Sequence, residues 1–382
     1  MTAKSCDFLI VGAGIAGASA AYELARLGRV VLLEREERAG YHSTGRSAAL
    51  YAESYGNFVV RAITSASREF YHAPPAGFAE HPLLRPRGTM LIARADQREA
   101  LDAALADIRR TLPSLEKIDG ARARELCPAI GPDIVAGIHV PDDKDMDVDA
   151  IHQGFLRGAR RAGADLVVDA EVLSLRREGA RWLARTKAGD FAAPIVVNAA
   201  GAWCDAVAGL AGIAPIGLVP KRRTAFVFPA PEGASVEAWP AVIDVAETFY
   251  FKPEAGTILG SPANEDPVEP HDVQPEDLDV AIAVDRIESA TSLKVRRVIR
   301  KWAGLRSFVP DKTLVAGFEP GAAGFFWCAG QGGYGIQTAP AMGRIVAHLA
   351  TGRGLPTDVA ARGVREADLS PARFRHRQEG QT

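Results

Sequence analysis

Between the apolar run Phe8-Leu9-Ile10-Val11 and a stretch of helical spacing stands Gly12-Ala13-Gly14-Ile15-Ala16-Gly17, a GxGxxG. Its glycines have separate tasks. The first permits a tight turn, the second lets backbone approach a pyrophosphate, and the third lets helix pack on strand. The following helix offers unpaired N–H groups and partial positive charge to phosphates. Glu34 stands 20 residues beyond Gly14, at the end of the apolar run Val30-Val31-Leu32-Leu33, where a carboxylate can accept both hydroxyls of a ribose. This context predicts dinucleotide binding; a plain glycine turn would leave Glu34 without a role. The motif does not separate NAD from FAD, and two later segments bear on that choice. Asn198-Ala199-Ala200-Gly201-Ala202-Trp203 follows another apolar run, and its small residues let backbone pass beneath a dinucleotide. Gln331-Gly332-Gly333-Tyr334-Gly335-Ile336-Gln337 joins a strand to a helix. It aims a helix N-terminus at a group that gains negative charge, as the N1–C2=O edge of a flavin does on reduction.

These residues require an α/β frame. Periodicity predicts strands over 8–11, 30–33, 89–93, 165–168, 171–176, 181–186, 195–197 and 325–328, with helices over 16–27, 97–111, 149–161 and 336–351. Residues 223–228, 241–244 and 248–251 read as strands of a more antiparallel region, and 264–279 as a proline-rich acidic loop. The expected class is α/β: a Rossmann-like dinucleotide-binding domain of residues 1–58, 146–217 and 303–382. An α+β substrate domain on an antiparallel sheet, residues 59–145 and 218–302, is inserted into it.

The 382 residues allow two to three domains at about 150 each. With 47% hydrophobic and 24% charged residues the chain is an ordinary globular one, and disorder is excluded. Its net charge of −2 gives no field favouring nucleic acid, and the arginines form no stripe interleaved with aromatics. Cys6, Cys127, Cys204 and Cys328 are too scattered for metal ligation or a disulfide framework; buried reduced thiols in a cytoplasmic protein are expected. The uncharged stretches 8–22 and 320–343 are interrupted by glycine, so neither a signal peptide nor a membrane span is read there. Peripheral membrane contact stays open. Asp142-Asp143-Lys144-Asp145 is read as a solvated turn, Trp182 as core, and His42 as part of the cofactor loop without a catalytic role.

Together, the GxGxxG, the run Gly40-Tyr41-His42-Ser43-Thr44-Gly45-Arg46-Ser47-Ala48-Ala49, the segment Asn198 to Trp203 and the late glycine turn resemble the D-amino-acid oxidase/dehydrogenase, glycine oxidase-like flavoproteins. The stretches His81 to Leu84, Pro220 to Arg223, Gly260 to Asn264 and Trp302 to Phe308 are most similar to the bacterial D-arginine dehydrogenase branch. The resemblance implies a non-covalent FAD, with Ser43 to Ala49 along its pyrophosphate and flavin and Val172 backbone near the adenine. The implied cofactor residues are Gly12, Gly14, Ile15, Ala16, Gly17, Glu34, Arg35, Ser43, Thr44, Arg46, Ser47, Ala48, Ala49, Val172, Ala200, Gly201, Trp203, Gly304, Gly332, Gly333, Tyr334, Gly335, Ile336 and Gln337. No metal is implied.

For the substrate, Arg223 and Arg306 match arginines that clamp an amino-acid carboxylate, Tyr55 and Tyr250 match hydroxyl donors to it, and the Gly304 carbonyl matches an acceptor for the amine. The implied reaction is oxidative deamination: hydride passes from Cα to flavin N5, and the imino acid hydrolyses to a 2-oxo acid and ammonia. Three side-chain-pocket positions depart from the arginine-preferring pattern: Thr89 stands for a glutamate, Leu50 for a histidine and Ala52 for a threonine. A buried guanidinium lacking a carboxylate is costly, so apolar or small D-amino acids are expected over cationic ones. Rival readings are oxidation of a secondary amine such as sarcosine or an N-methyl amino acid, and a catalytically silent flavin-binding interaction subunit. The electron acceptor is left open among oxygen, a quinone and an electron-transfer protein.

Overall fold

The computed structural model describes residues 3–112 and 115–375. A six-stranded sheet runs in the order Asp165–Val167, Val30–Leu33, Phe8–Val11, Ile195–Asn198, Phe325–Ala329, Val315–Phe318. All neighbours pair in parallel except the last two. Strands Phe8–Val11, Val30–Leu33 and Phe325–Ala329 are buried at every residue, which is why they read as unbroken apolar runs rather than alternation. On one face lie the helices Ile15–Leu24, Val148–Arg161 and Gly335–Ala350. Small residues set their spacing: a Cβ on Gly343 would lie 2.6 Å from the Ser19 carbonyl oxygen, and one on Gly158 would meet the Tyr22 ring. A four-stranded sheet of Lys4–Ser5, Gly189–Ala193, Arg181–Thr186 and Val172–Glu178 covers part of the opposite face, where Trp182 is buried among Phe325 and Trp327.

A nine-stranded sheet carries the rest of the site. Its central strand Val219–Pro229 pairs along its length with Arg300–Phe308 on one side. On the other it pairs with Thr257–Ser261 and Asp266–Pro267, and the sheet continues through Tyr250–Glu254, Ala241–Asp244, Thr89–Arg94, Ile134–Val140 and Glu116–Asp119. Helix Asp277–Ala290 packs on one face through Val280, Ala283 and Ile287. The sheet is not purely antiparallel as expected: Ala241–Asp244 and Thr89–Arg94 run parallel. The two strands come from separate insertions, so no short turn forces them antiparallel.

Some expectations need correction. The run Asp142 to Asp145 is a solvated turn only at Asp142: Asp143 is 2% exposed, Lys144–Met146 is a strand, and Asp145 binds Lys252 and Arg87. The apolar pattern of 142–146 is too weak to show this, because what it buries is charge: Asp145 between two cations and Asp143 among hydrogen-bond donors. The loop 264–279 contains a short strand and the start of the helix Asp277–Ala290. All four cysteines are free and buried, and burial raises each thiol, Cys6 to about 11 and Cys328 to about 12. Among the described residues no helix is long and apolar enough to cross a membrane.

Candidate active site

The first glycine turn is held so tightly that only glycine fits. Gly12 has φ +101°, and a Cβ there would lie 2.5 Å from the Ala199 carbonyl oxygen; one on Gly17 would strike the Gly12 carbonyl. Glu34 is 7% exposed, and one of its oxygens accepts the Ala13 N–H at 3.1 Å while the other accepts Glu36 N–H at 3.0 Å. Each oxygen retains a second acceptor site for a ribose hydroxyl. Burial raises its pKa, against backbone donors that lower it. Thr44 Oγ1 accepts the Ile15 N–H at 3.0 Å, tying the Ser43–Arg46 turn to the helix N-terminus.

A cavity of about 450 Å³ opens over this turn. Gly12, Gly14, Ile15, Ala16, Glu34, Arg35, Ser43, Thr44, Val172, Ala200, Gly201, Trp203 and Gly332 line it, as the sequence reading would place them. Trp203 is braced by the Arg35 guanidinium 4.8 Å from its ring and by the His42 ring at 4.6 Å. One end is apolar, made by Leu173, Val207 and Leu210. These three have no sequence signal: the exposed Leu173 and Leu210 and the buried Val207 gain meaning only from the cavity beside them. A turn no side chain could enter, a carboxylate with spare acceptor sites and an apolar end fit a dinucleotide bearing an aromatic base.

A second, smaller pocket of about 90 Å³ adjoins the first, sharing Ile15, Ser43, Thr44, Leu305, Gln331 and Gly332. Arg46, Ser47, Ala48, Gly333, Gly335 and Ile336 meet Arg223, Tyr250, Gly304 and Arg306 there. The sheet register explains the gathering: Arg223 lies opposite Gly304, and Lys221 opposite Arg306, on neighbouring strands. Arg223 is 7% exposed, and its Nε donates to the Asn264 carbonyl at 2.7 Å. Burial, then the charge of Arg306, lowers its pKa to about 10. Arg306 donates to the Tyr55 hydroxyl at 3.2 Å and pairs with no carboxylate among the described residues. Glu265, the one acid beside Arg223, is shared with Lys221 and Lys312 at 2.8 and 3.2 Å. The pocket therefore holds positive charge in excess. Ala225 and Tyr250 continue into an apolar patch with Ala48, Ile243 and Trp302.

Other expected residues stand elsewhere. Leu50, Ala52 and Thr89 do not line either cavity. The Thr89 hydroxyl is directed at Asp143, Leu50 belongs to a short strand pairing with Lys144–Met146, and Ala52 is buried beneath Gln337. The Gln337 side chain holds the Ala52 backbone and Thr64 rather than facing a cavity, and the Tyr334 hydroxyl donates to the Lys312 carbonyl. Ala49, at φ +61°, turns away toward Arg85 and Lys252. Arg46 reaches the pocket, but its guanidinium is engaged by Asp272 and the Val273 and Ala303 carbonyls.

The family described as FAD dependent oxidoreductase, DAO, matches residues 7–349. The glycine oxidase of Bacillus licheniformis is 25% identical over 370 residues, covering 93% of this chain and 95% of that protein. Human mitochondrial sarcosine dehydrogenase is also 25% identical, over 372 residues, but the chain spans only 39% of its length. Among solved structures, L-proline dehydrogenase from P. horikoshii superposes with a TM-score of 0.85 at 22% identity, over 98% of this chain and 99% of that one. Glycine oxidase from Geobacillus kaustophilus gives 0.81 at 21%, over 94% and 98%. The turn, the two adjoining cavities and the match over most of its length agree: the chain belongs to the DAO family of FAD-dependent oxidoreductases, with FAD as its cofactor.

Proposed function

We propose that this protein oxidises the C–N bond of small or apolar amino acids, of the D series where the substrate is chiral, to the imino acid, which hydrolyses to a 2-oxo acid and ammonia. The observation that carries the reading is the unneutralised cation pair: among the described residues Arg223 shares a single acid with two lysines and Arg306 has none, beside a pocket of about 90 Å³. A carboxylate between them would gain two charge-assisted forks, the geometry arginine provides best. Bound non-covalently in the larger cavity, FAD supplies the two-electron oxidant. The chain's own residues bind and orient. Arg223 and Arg306 hold the carboxylate, the Tyr55 and Tyr250 hydroxyls donate to it, and the Gly304 carbonyl receives an amine N–H. Holding the reacting carbon in one place converts a bimolecular encounter into a positioned one.

The apolar patch of Ala48, Ala225, Ile243 and Trp302 beside Tyr250 supports an apolar substrate side chain. The stretches resembling the D-arginine dehydrogenase branch support the D series, without that branch's cationic preference. A second reading, oxidation of secondary amines such as sarcosine, is favoured by the sarcosine and dimethylglycine dehydrogenases among the relatives. Anaerobic mixing with a panel of D- and L-amino acids, glycine, sarcosine and N-methyl amino acids tests both. Bleaching of the flavin by D-Met, D-Leu or D-Phe is expected, and admission of air then separates oxidase from dehydrogenase. Faster bleaching by D-Arg and D-Lys would overturn the specificity, and bleaching by sarcosine alone would select the second reading. A flavin that none of the panel reduces would overturn both.

A further inference from the structure

Asp143 is a buried carboxylate without a cation. It lies just before the strand Lys144–Met146 and is 2% exposed, yet no lysine, arginine or histidine comes within ion-pair distance among the described residues. Three donors converge on it instead: the Thr89 hydroxyl at 2.5 Å, the Glu53 backbone N–H at 3.2 Å and the Ser54 hydroxyl at 3.4 Å. Its own carbonyl accepts the Gly88 N–H at 2.8 Å, fixing it to the segment that leads into Thr89. Burial is the main cause that pushes its carboxyl up to about 7, with the three donors pulling the other way.

What this carboxylate holds is the turn bearing Tyr55. The turn is gripped from two sides. From the cofactor-binding half, Gln337 accepts the Ala52 N–H at 3.3 Å and donates to the Ala52 carbonyl at 3.2 Å. From the substrate-binding half, Asp143 takes the next two residues, Glu53 and Ser54. Tyr55 follows, its N–H on the Ala52 carbonyl at 3.2 Å and its hydroxyl accepting from Arg306. Resting on the carboxylate-clamp reading above, we propose that Asp143 is a positioning residue: its carboxylate sets the 52–55 turn, and through it the Tyr55 hydroxyl, for carboxylate binding.

The chemistry of the donor set explains why an acid stands here. An ionised carboxylate is acceptor-only and can take all three donors together, whereas an amide or a protonated acid carries a donor of its own and must reverse or lose one of these contacts. The other charged groups around it are committed elsewhere. Glu53 binds Arg68, Ser65 and Tyr51, Arg87 binds Asp145, and Lys252 binds Asp145 and Glu254. Ionised Asp143 therefore holds the turn best. As pH falls through about 7 its protonation releases one donor, and affinity for a carboxylate falls with it.

The test titrates the FAD-loaded full chain with propionate, followed by the change in flavin absorbance, at pH 6 and pH 8. Wild type is expected to bind about threefold more weakly at pH 6. Asp143→Asn should bind at both pH values as wild type does at pH 6, with unchanged FAD content. Thr89→Val, which removes the shortest donor, should move the step to higher pH. In turnover, Asp143→Ala should raise KM about tenfold with kcat within twofold, the pattern of lost uniform binding. If Asp143→Ala does not fold, the Asn and Val variants carry the test. An Asp143→Asn protein with wild-type affinity at pH 8 and an intact pH step overturns the proposal while leaving the clamp standing. A wild type that binds no carboxylate at either pH refutes the clamp and this proposal together.

Discussion

Replacing Arg306 by methionine should weaken substrate binding sharply while leaving the stability of the protein nearly unchanged. The guanidinium has one hydrogen bond, to Tyr55, and no carboxylate among the described residues, while its charge opposes that of Arg223. Losing that hydrogen bond costs about 1 kcal/mol. Removing the charge relieves the repulsion that helps depress the Arg223 pKa but gives up the favourable field of Tyr55, Tyr250, Glu247 and Glu265 that raises the pKa of Arg306 itself. These opposed effects leave stability within about 1 kcal/mol of wild type, about 2 °C in Tm for a chain of this size. The unbranched thioether preserves length and packing. Binding changes far more, because a charge-assisted fork to a desolvated carboxylate is worth about 3 kcal/mol or more, a factor above about 100 in affinity. Propionate titration and thermal unfolding of the same preparation, at equal FAD content, read both effects. Propionate affinity within threefold of wild type would refute the clamp. A Tm lowered by several degrees would show that Arg306 is structural.

Two further outcomes follow from the geometry. Gly12→Ala forces a side chain onto φ +101° and into the Ala199 carbonyl; the purified protein should carry less than about a tenth of the wild-type flavin, read from its visible absorbance, and unfold several degrees earlier. Burial and Arg306 depress the Arg223 pKa to about 10, so the cation is present below that pH and lost above it. Propionate affinity should hold from pH 8 to about 10 and then fall about tenfold per unit. The folding contribution has the opposite sign, since the destabilising buried charge disappears as pH rises through the same value.

The legibility of this site followed the kind of contact each residue makes. Gly12, Gly17 and Glu34 act within one strand–turn–helix–strand unit, so their spacing along the chain is their spacing in space. Val172 opens a strand of the four-stranded sheet, and Ala200 and Trp203 follow the strand Ile195–Asn198; all three, implied by the resemblance, line the larger cavity. Thr89, Gln337 and Tyr334 point their polar groups away from the cavities, at the Asp143 carboxylate, the Ala52 backbone and the Lys312 carbonyl, and such partners from distant segments leave no local pattern. Leu173 and Leu210 were missed because an apolar side chain at a cavity rim is indistinguishable, in sequence, from an exposed leucine anywhere. The parallel pairing of Ala241–Asp244 with Thr89–Arg94 was beyond reach for a related reason: local patterning gives a strand its faces but not its partner.

By itself, then, the amino-acid sequence determined a dinucleotide turn, the α/β frame around it and an inventory of arginines and tyrosines able to hold a carboxylate. The turn and the frame are matters of covalent spacing and periodicity, whereas the arginines and tyrosines are what the family resemblance implies. Only the tertiary structure decided which of them meet. Arg223 and Arg306 become a pair through strand register, and Glu265 is divided among three cations by the packing of separate strands and loops. Asp143 changes from a turn residue in a run of charges to a buried acid because Glu53, Ser54 and Thr89 arrive from two other segments to solvate it. Charge and burial belong to the environment a fold assembles, and that environment here is drawn from residues tens to hundreds of positions apart.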